Sequence, residues 1–80
     1  MKNPYYAELL NIVYVPDDGV VAAEFRIEQN EKLMTTIQFT VGIRKTMQET
    51  EIACWNALAE AMGSVATAAR KRIENLKKHS

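Results

Sequence analysis

Residues 11–28, NIVYVPDDGVVAAEFRIE, decide the fold. Two runs rich in β-branched and aromatic residues flank a compact turn signal. Pro16 pre-sets the φ of a turn's first corner, Asp17 and Asp18 suit its polar positions, and Gly19 accepts φ > 0. A four-residue loop over 16–19 predicts a β-hairpin that pairs Val15 with Val20 and Tyr14 with Val21. Carried outward, the same register pairs Ile12 with Ala23 and Leu10 with Phe25. Directly opposed side chains share a face. Leu10, Ile12, Tyr14, Val21, Ala23, Phe25 and Ile27 are therefore expected on one face. Leu9, Val13, Val15, Val20 and Ala22 are expected on the other, continued by Glu24, Arg26 and Glu28.

Working outward toward the C-terminus, residues 32–42, KLMTTIQFTVG, alternate Ile37, Phe39 and Val41 with Thr36, Gln38 and Thr40, which predicts a third strand. Keeping Phe25 and Ile27 on the face of Ile37 and Phe39 requires an odd number of residues between the strands. Three or five satisfy this, with an irregular turn or a bulge. Toward the N-terminus the pattern is ambiguous. Asn3-Pro4 suits a short helical turn over YYAELL, whereas alternation of Tyr6, Glu8 and Leu10 suits an extended lead-in. Extension from about Ala7 is the preferred reading.

After about residue 46 the period changes from two to 3.6. Thr46 and Glu49 have capping-box spacing. Glu49 and Glu51 sit favourably at the positive start of a helix. Ile52, Trp55, Leu58, Met62, Val65, Ala69, Ile73 and Leu76 then recur at steps of three and four, keeping one side apolar for almost seven turns. Gly63 costs about 1 kcal/mol in a helix relative to Ala. The stripe nonetheless stays in phase across it, which favours one helix over about 47–78, bent or unbent at Gly63, over two helices. The expectation is an α+β fold of one domain, residues 1–80. A three-stranded antiparallel meander over about 7–42 is followed by one long C-terminal helix.

Length sharpens this. An eight-residue strand spans about 27 Å and a 30-residue helix about 45 Å. The sheet then leaves the distal stripe from Val65 to Leu76 uncovered, which implies a second copy of the chain or another protein. A fold-back at Gly63 is the alternative. An 80-residue chain buries about 60% of its unfolded surface, so its core is marginal on its own. One cysteine, Cys54, excludes an internal disulfide. One His and one Cys offer no metal set, and neither metal nor cofactor is expected. The thiol fits a reducing cytoplasm, and MKNPYYAELL lacks the apolar run of a signal peptide. No stretch approaches the roughly 20 apolar residues that span a bilayer.

Net charge is zero but unevenly spread: residues 1–69 carry nine acids and five bases, and residues 70–80 carry five bases and one acid. Arg70, Lys71, Arg72, Lys77 and Lys78 are candidate contacts to nucleic acid or an acidic partner. The preferred reading is a solvated helix end whose cations match the dipole. Glu74, four residues from Arg70 and from Lys78, is placed to pair there. Asp17-Asp18 reads as turn chemistry. Cys54 reads as a packing residue, about 25 residues of helix away from His79. No Gly-rich phosphate loop, HExxH motif or nucleophile elbow is present.

These features imply a small non-enzymatic interaction module rather than an enzyme. An inhibitor, an adaptor or an antitoxin-like regulator, of the kind phages and mobile elements encode, fits the size. It would bind a partner protein through the strand-one edge, the outer apolar patch or the distal helix, as a homodimer and with no membrane. Leu9, Val13, Val15, Val20, Val65, Ile73 and Leu76 are the candidate contacts. The alternative is a nucleic-acid binder that uses the basic helix end. The N-terminal YYAELL segment, folded over the outer patch, would remove the sheet face from consideration.

Overall fold

A computed structural model describes residues 3–79. The order is β1 (Tyr5–Val15), a 3-10 turn (Pro16–Asp18), β2 (Val20–Gln29), β3 (Lys32–Gly42) and α1 (Met47–Lys78). The strands form one antiparallel sheet in the order β1-β2-β3. This is the expected α+β meander followed by one long helix.

The first hairpin closes as its turn chemistry requires. Gly19 takes the left-handed conformation at φ 66°, and its N–H donates to the Pro16 carbonyl at 3.1 Å. Val15 pairs with Val20, Tyr14 with Val21 and Ile12 with Ala23. Beyond Asn11 the pairing departs from expectation. A β-bulge at Leu10 shifts the register, so Leu9 rather than Leu10 lies opposite Phe25. The reason is electrostatic. An unbroken register would set Glu8 opposite Ile27 on the core face, where an unpaired carboxylate is costly. The extra residue instead puts Ala7 opposite Ile27 and Glu8 opposite Arg26. Leu9 therefore packs against the core and leaves the outer face on which it was expected. Leu10 is exposed.

The second connection keeps the expected parity by another route. It is a two-residue turn, Asn30 (φ 52°) and Glu31 (φ 67°), followed by a bulge at Met34. Both turn residues lie at φ > 0, the backbone that matches strand twist in a tight hairpin. One bulge residue plus two turn residues equals the three that parity demanded. Phe25 thus meets Ile37, and Ala23 meets Phe39. At the N-terminus the strand begins at Tyr5. The Asn30 N–H donates to the Pro4 carbonyl at 2.8 Å, and the Tyr5 N–H to Asn3 Oδ1 at 3.0 Å. YYAELL is thus part of β1, neither a helical turn nor a cover for the outer face.

Helix α1 begins where Thr46 Oγ1 accepts from the Glu49 N–H at 3.1 Å, the Thr46 half of the capping box. Thr50, fully buried, ties the helix to the strand: its Oγ1 accepts from the Arg44 N–H and donates to the Thr46 carbonyl, both at 3.0 Å. The helix runs continuously through Gly63. It packs along β3, but its buried line is Thr50, Cys54 and Leu58. Ile52, expected to open the apolar stripe, is exposed. Capture of Thr50 by the Arg44 N–H sets the rotation of the first turn, and that rotation selects Cys54.

The core is small. Val21, Ala23, Phe25 and Ile27 from β2 meet Cys54 and Leu58 from α1, with Leu9, Ile12, Ile37, Phe39 and Trp55 around them. Phe25 is its centre, with Trp55 edge-on at a centroid distance of 4.8 Å and Phe39 at 6.2 Å. The shape is long, 51 × 28 × 19 Å, with a radius of gyration of 15.9 Å. A compact domain of this length has a radius near 12 Å.

Candidate interaction surface

Three surfaces bear on function, and each is fixed by the fold just described. The first is the outer face of the sheet. Val13 lies opposite Ala22 and Val15 opposite Val20, so these four side chains gather at the hairpin end. Val13 is 55% exposed, while Val15, Val20 and Ala22 are half-buried. Toward the other end the face turns polar. Asn11 Nδ2 donates to Glu24 Oε1 at 3.1 Å, and Arg26 Nε meets Glu28 Oε2 at 2.8 Å. The apolar patch therefore adjoins a fixed polar row on one side. On the other it runs to β1, an edge strand with no charged side chain from Asn11 to Val15. Leu9 has left this surface for the core, as the bulge requires. The patch is smaller than the sequence pattern suggested.

The second surface is the distal half of α1. Val65, Ile73 and Leu76 are 61%, 50% and 56% exposed. Met62 joins them at the end nearer the core. Among the described residues beyond Leu58, none is buried. The stripe continues in sequence where the sheet beneath it has ended.

The third is the basic helix end. Arg70, Lys71, Arg72, Lys77 and Lys78 are all exposed. Successive helical residues are about 100° apart, so Arg70, Lys71 and Arg72 point in three directions. Lys77 follows the line of Arg70, and Lys78 that of Lys71. The five charges radiate around the helix instead of forming a single basic face. A duplex groove or a single-strand track is met by charges on one side, usually with aromatic or amide groups among them.

Other titratable residues singled out by the sequence are placed as follows. Cys54 is fully buried in the core. Burial, with a smaller contribution from the Glu51 carboxylate, pushes its thiol above the ordinary value. A low-pKa, accessible thiolate is what a reactive cysteine needs, and this is the opposite case. His79 caps the far end of the same helix, about 38 Å away at 1.5 Å per residue. Asp17 and Asp18 lie in the exposed 3-10 turn. An open groove of about 610 Å³ runs between the end of β3 and α1, lined by Val41, Arg44, Glu49, Ile52, Asn56 and Glu60 among others. It is wide and mixed in charge, without the enclosing apolar walls and convergent polar groups of a small-molecule site. Among the described residues, no group of three or more His, Cys, Asp or Glu side chains is placed to hold a metal ion. Nor is any helix long and apolar enough to cross a membrane.

The sequence pattern located the exposed stripe and the hairpin-end valines. It misassigned Leu9 and Ile52. The signal for Leu9 was Glu8, whose carboxylate would have faced the core in an unbroken register. The signal for Ile52 was Thr50, which competes for the buried position one half-turn earlier and brings a hydrogen bond with it. Compared with protein-family models, with curated proteins and with solved structures, the chain matches none.

Proposed function

We propose that this chain is a non-enzymatic interaction module that docks a partner protein on the hairpin end of its sheet. An inhibitor, an adaptor or an antitoxin-like regulator fits that description. The observation that carries the reading is the exposed Val13, grouped with Val15, Val20 and Ala22 beside an uncharged stretch of edge strand. A contiguous apolar patch marks a contact site more often than scattered apolar residues do. An open strand edge supplies main-chain hydrogen bonds to a partner strand. The helix occupies the opposite face, so the patch is reachable without disturbing the core. A reducing, cytoplasmic setting suits the single buried thiol.

The test is affinity capture of the tagged chain from lysate of its host, with and without nuclease, read by mass spectrometry. A protein that survives nuclease treatment, and is lost with Val13→Lys, supports docking at this face. Retention of the same protein by Val13→Lys would move the site elsewhere. Captured material that disappears with nuclease, and with Arg70, Lys71 and Arg72 neutralised, would reverse the reading in favour of nucleic acid.

A further inference from the structure

The distal half of α1 carries an inference that stands apart from the outer face of the sheet. We infer that it is the interface for a second copy of this chain, joined as an antiparallel helix pair about a two-fold axis at Ala69.

Area comes first. The chain exposes 6460 Å² of surface at a mass of 9.1 kDa. That is about 1,600 Å² more than the roughly 4,900 Å² of a folded monomer of this mass. A standard interface takes about 800 Å² from each partner. The surplus is twice that, and the exposed Val65, Ile73 and Leu76 of the distal helix contribute to it.

The arrangement of the exposed stripe then selects the occupant. A two-fold interface must be self-complementary, with residue i meeting residue j and j meeting i. The distal stripe is Met62, Val65, Ala69, Ile73 and Leu76, with steps of three, four, four and three. This order reads the same in both directions about Ala69. An antiparallel copy centred there puts Met62 level with the second copy's Leu76 and Val65 level with its Ile73. The two Ala69 residues meet at the axis, where small side chains permit close approach of the helices. From Met62 to Leu76 the contact spans about 21 Å, or four turns.

Charge selects the direction. A parallel pair would run the cationic ends of both copies, Arg70 to Lys78, side by side. Continued as a heptad from Met62 and Val65, it would also face Arg72 with its own copy, where a parallel seam needs an apolar residue. The antiparallel pair lays each cationic end along residues 60–68 of the other copy, whose one charged residue is Glu60, level with Lys78. Helix dipoles then also oppose. Steric room follows from the same register. The buried residues of α1 end at Leu58, one turn before Met62, where the contact with the second copy begins.

The test uses the full chain. Sedimentation equilibrium from about 1 to 200 μM is run on the wild type and on Val65→Glu and Ile73→Glu. The expected result is a concentration-dependent dimer for the wild type and a monomer for both variants. Unchanged Trp55 near-ultraviolet dichroism in the variants shows that each fold is intact. Direction is read in a Cys54→Ala background under mild oxidation. Ala69→Cys is expected to cross-link to itself. Leu76→Cys is expected to cross-link with Met62→Cys and not with itself. A wild type that stays monomeric at 200 μM overturns the inference and leaves the stripe to another partner. A dimer that survives Val65→Glu, or one in which Leu76→Cys links to itself, overturns it equally.

Discussion

The two halves of α1 are alike in sequence and unlike in circumstance. Both carry large apolar residues at steps of three and four, both are rich in alanine, and both contain a threonine that bonds back to the carbonyl four residues earlier. In the proximal half Thr50, Cys54 and Leu58 are buried against the sheet. In the distal half the same kind of stripe stands in solvent. Periodicity shows that a helix has an apolar side; it does not show what that side meets. Here the sheet answers for one half, and the other half is the basis of the proposed self-association.

The comparison breaks or sharpens with matched substitutions, one in each half. Leu58→Ala is expected to lower stability by about 2–5 kcal/mol, the range for a buried leucine whose site relaxes only in part. Leu76→Ala makes the same chemical change in the exposed half. Measured by urea unfolding at a concentration where sedimentation shows a monomer, it should cost within about 0.5 kcal/mol. Equal losses would mean that the distal stripe is covered within one chain.

A second pair concerns the two threonines. Thr50→Val keeps the shape but leaves the Arg44 N–H without its acceptor, and the expected loss is about 1–3 kcal/mol. Thr67 Oγ1 also donates to a carbonyl four residues back, that of Gly63, at 3.1 Å. It is exposed, so Thr67→Val should be nearly neutral in the same assay. A large effect at Thr67 would show that the distal half holds a tertiary contact.

A smaller gain is expected at the junction. A Cβ added to Gly63 meets nothing within 4 Å, and alanine is favoured over glycine in a helix by about 1 kcal/mol. Gly63→Ala should therefore slow amide exchange over residues 63–78 and leave Thr50 to Leu58 unaffected. Slower exchange throughout would mean that the two halves open as one unit.

The smallest effect concerns the buried thiol. Because burial raises the folded pKa of Cys54, the folded state holds its proton longer than the unfolded chain does. The stabilising contribution is complete below the unfolded value, about 8.5. It is lost as pH rises through the folded one. Urea midpoints should fall as pH rises above about 8.5, and Cys54→Ala should flatten that fall. An unchanged slope in the variant would place the cause in other groups.

Much of this was open to reading along the chain. The PDDG turn carries its own register, because Pro16 and Gly19 restrict the backbone to a loop of one length. Alternation in β2 and β3 identifies the core face and puts Phe25 on it. The change of period near residue 46 and the Thr46 cap place the helix start without any knowledge of packing. The phase of the helix on the sheet was harder to read: Thr50 was its signal, but its effect depends on one hydrogen bond from the Arg44 backbone. The candidate surface divided in the same way. Val13, Val15 and Val20 follow from the hairpin, whereas the place of Leu9 depends on where the strand absorbs an extra residue.

Local chemistry thus determined the elements, their order and the hairpin register, since turn residues, caps and periodicity act over a few neighbouring positions. The tertiary structure decided the bulge at Leu10, which keeps the Glu8 carboxylate out of the core. It decided the rotation of α1, which exchanges Ile52 for Cys54. It also decided how far the helix outruns the sheet. Each of these depends on what two distant segments do to each other's solvation, and no stretch of the chain carries that information alone.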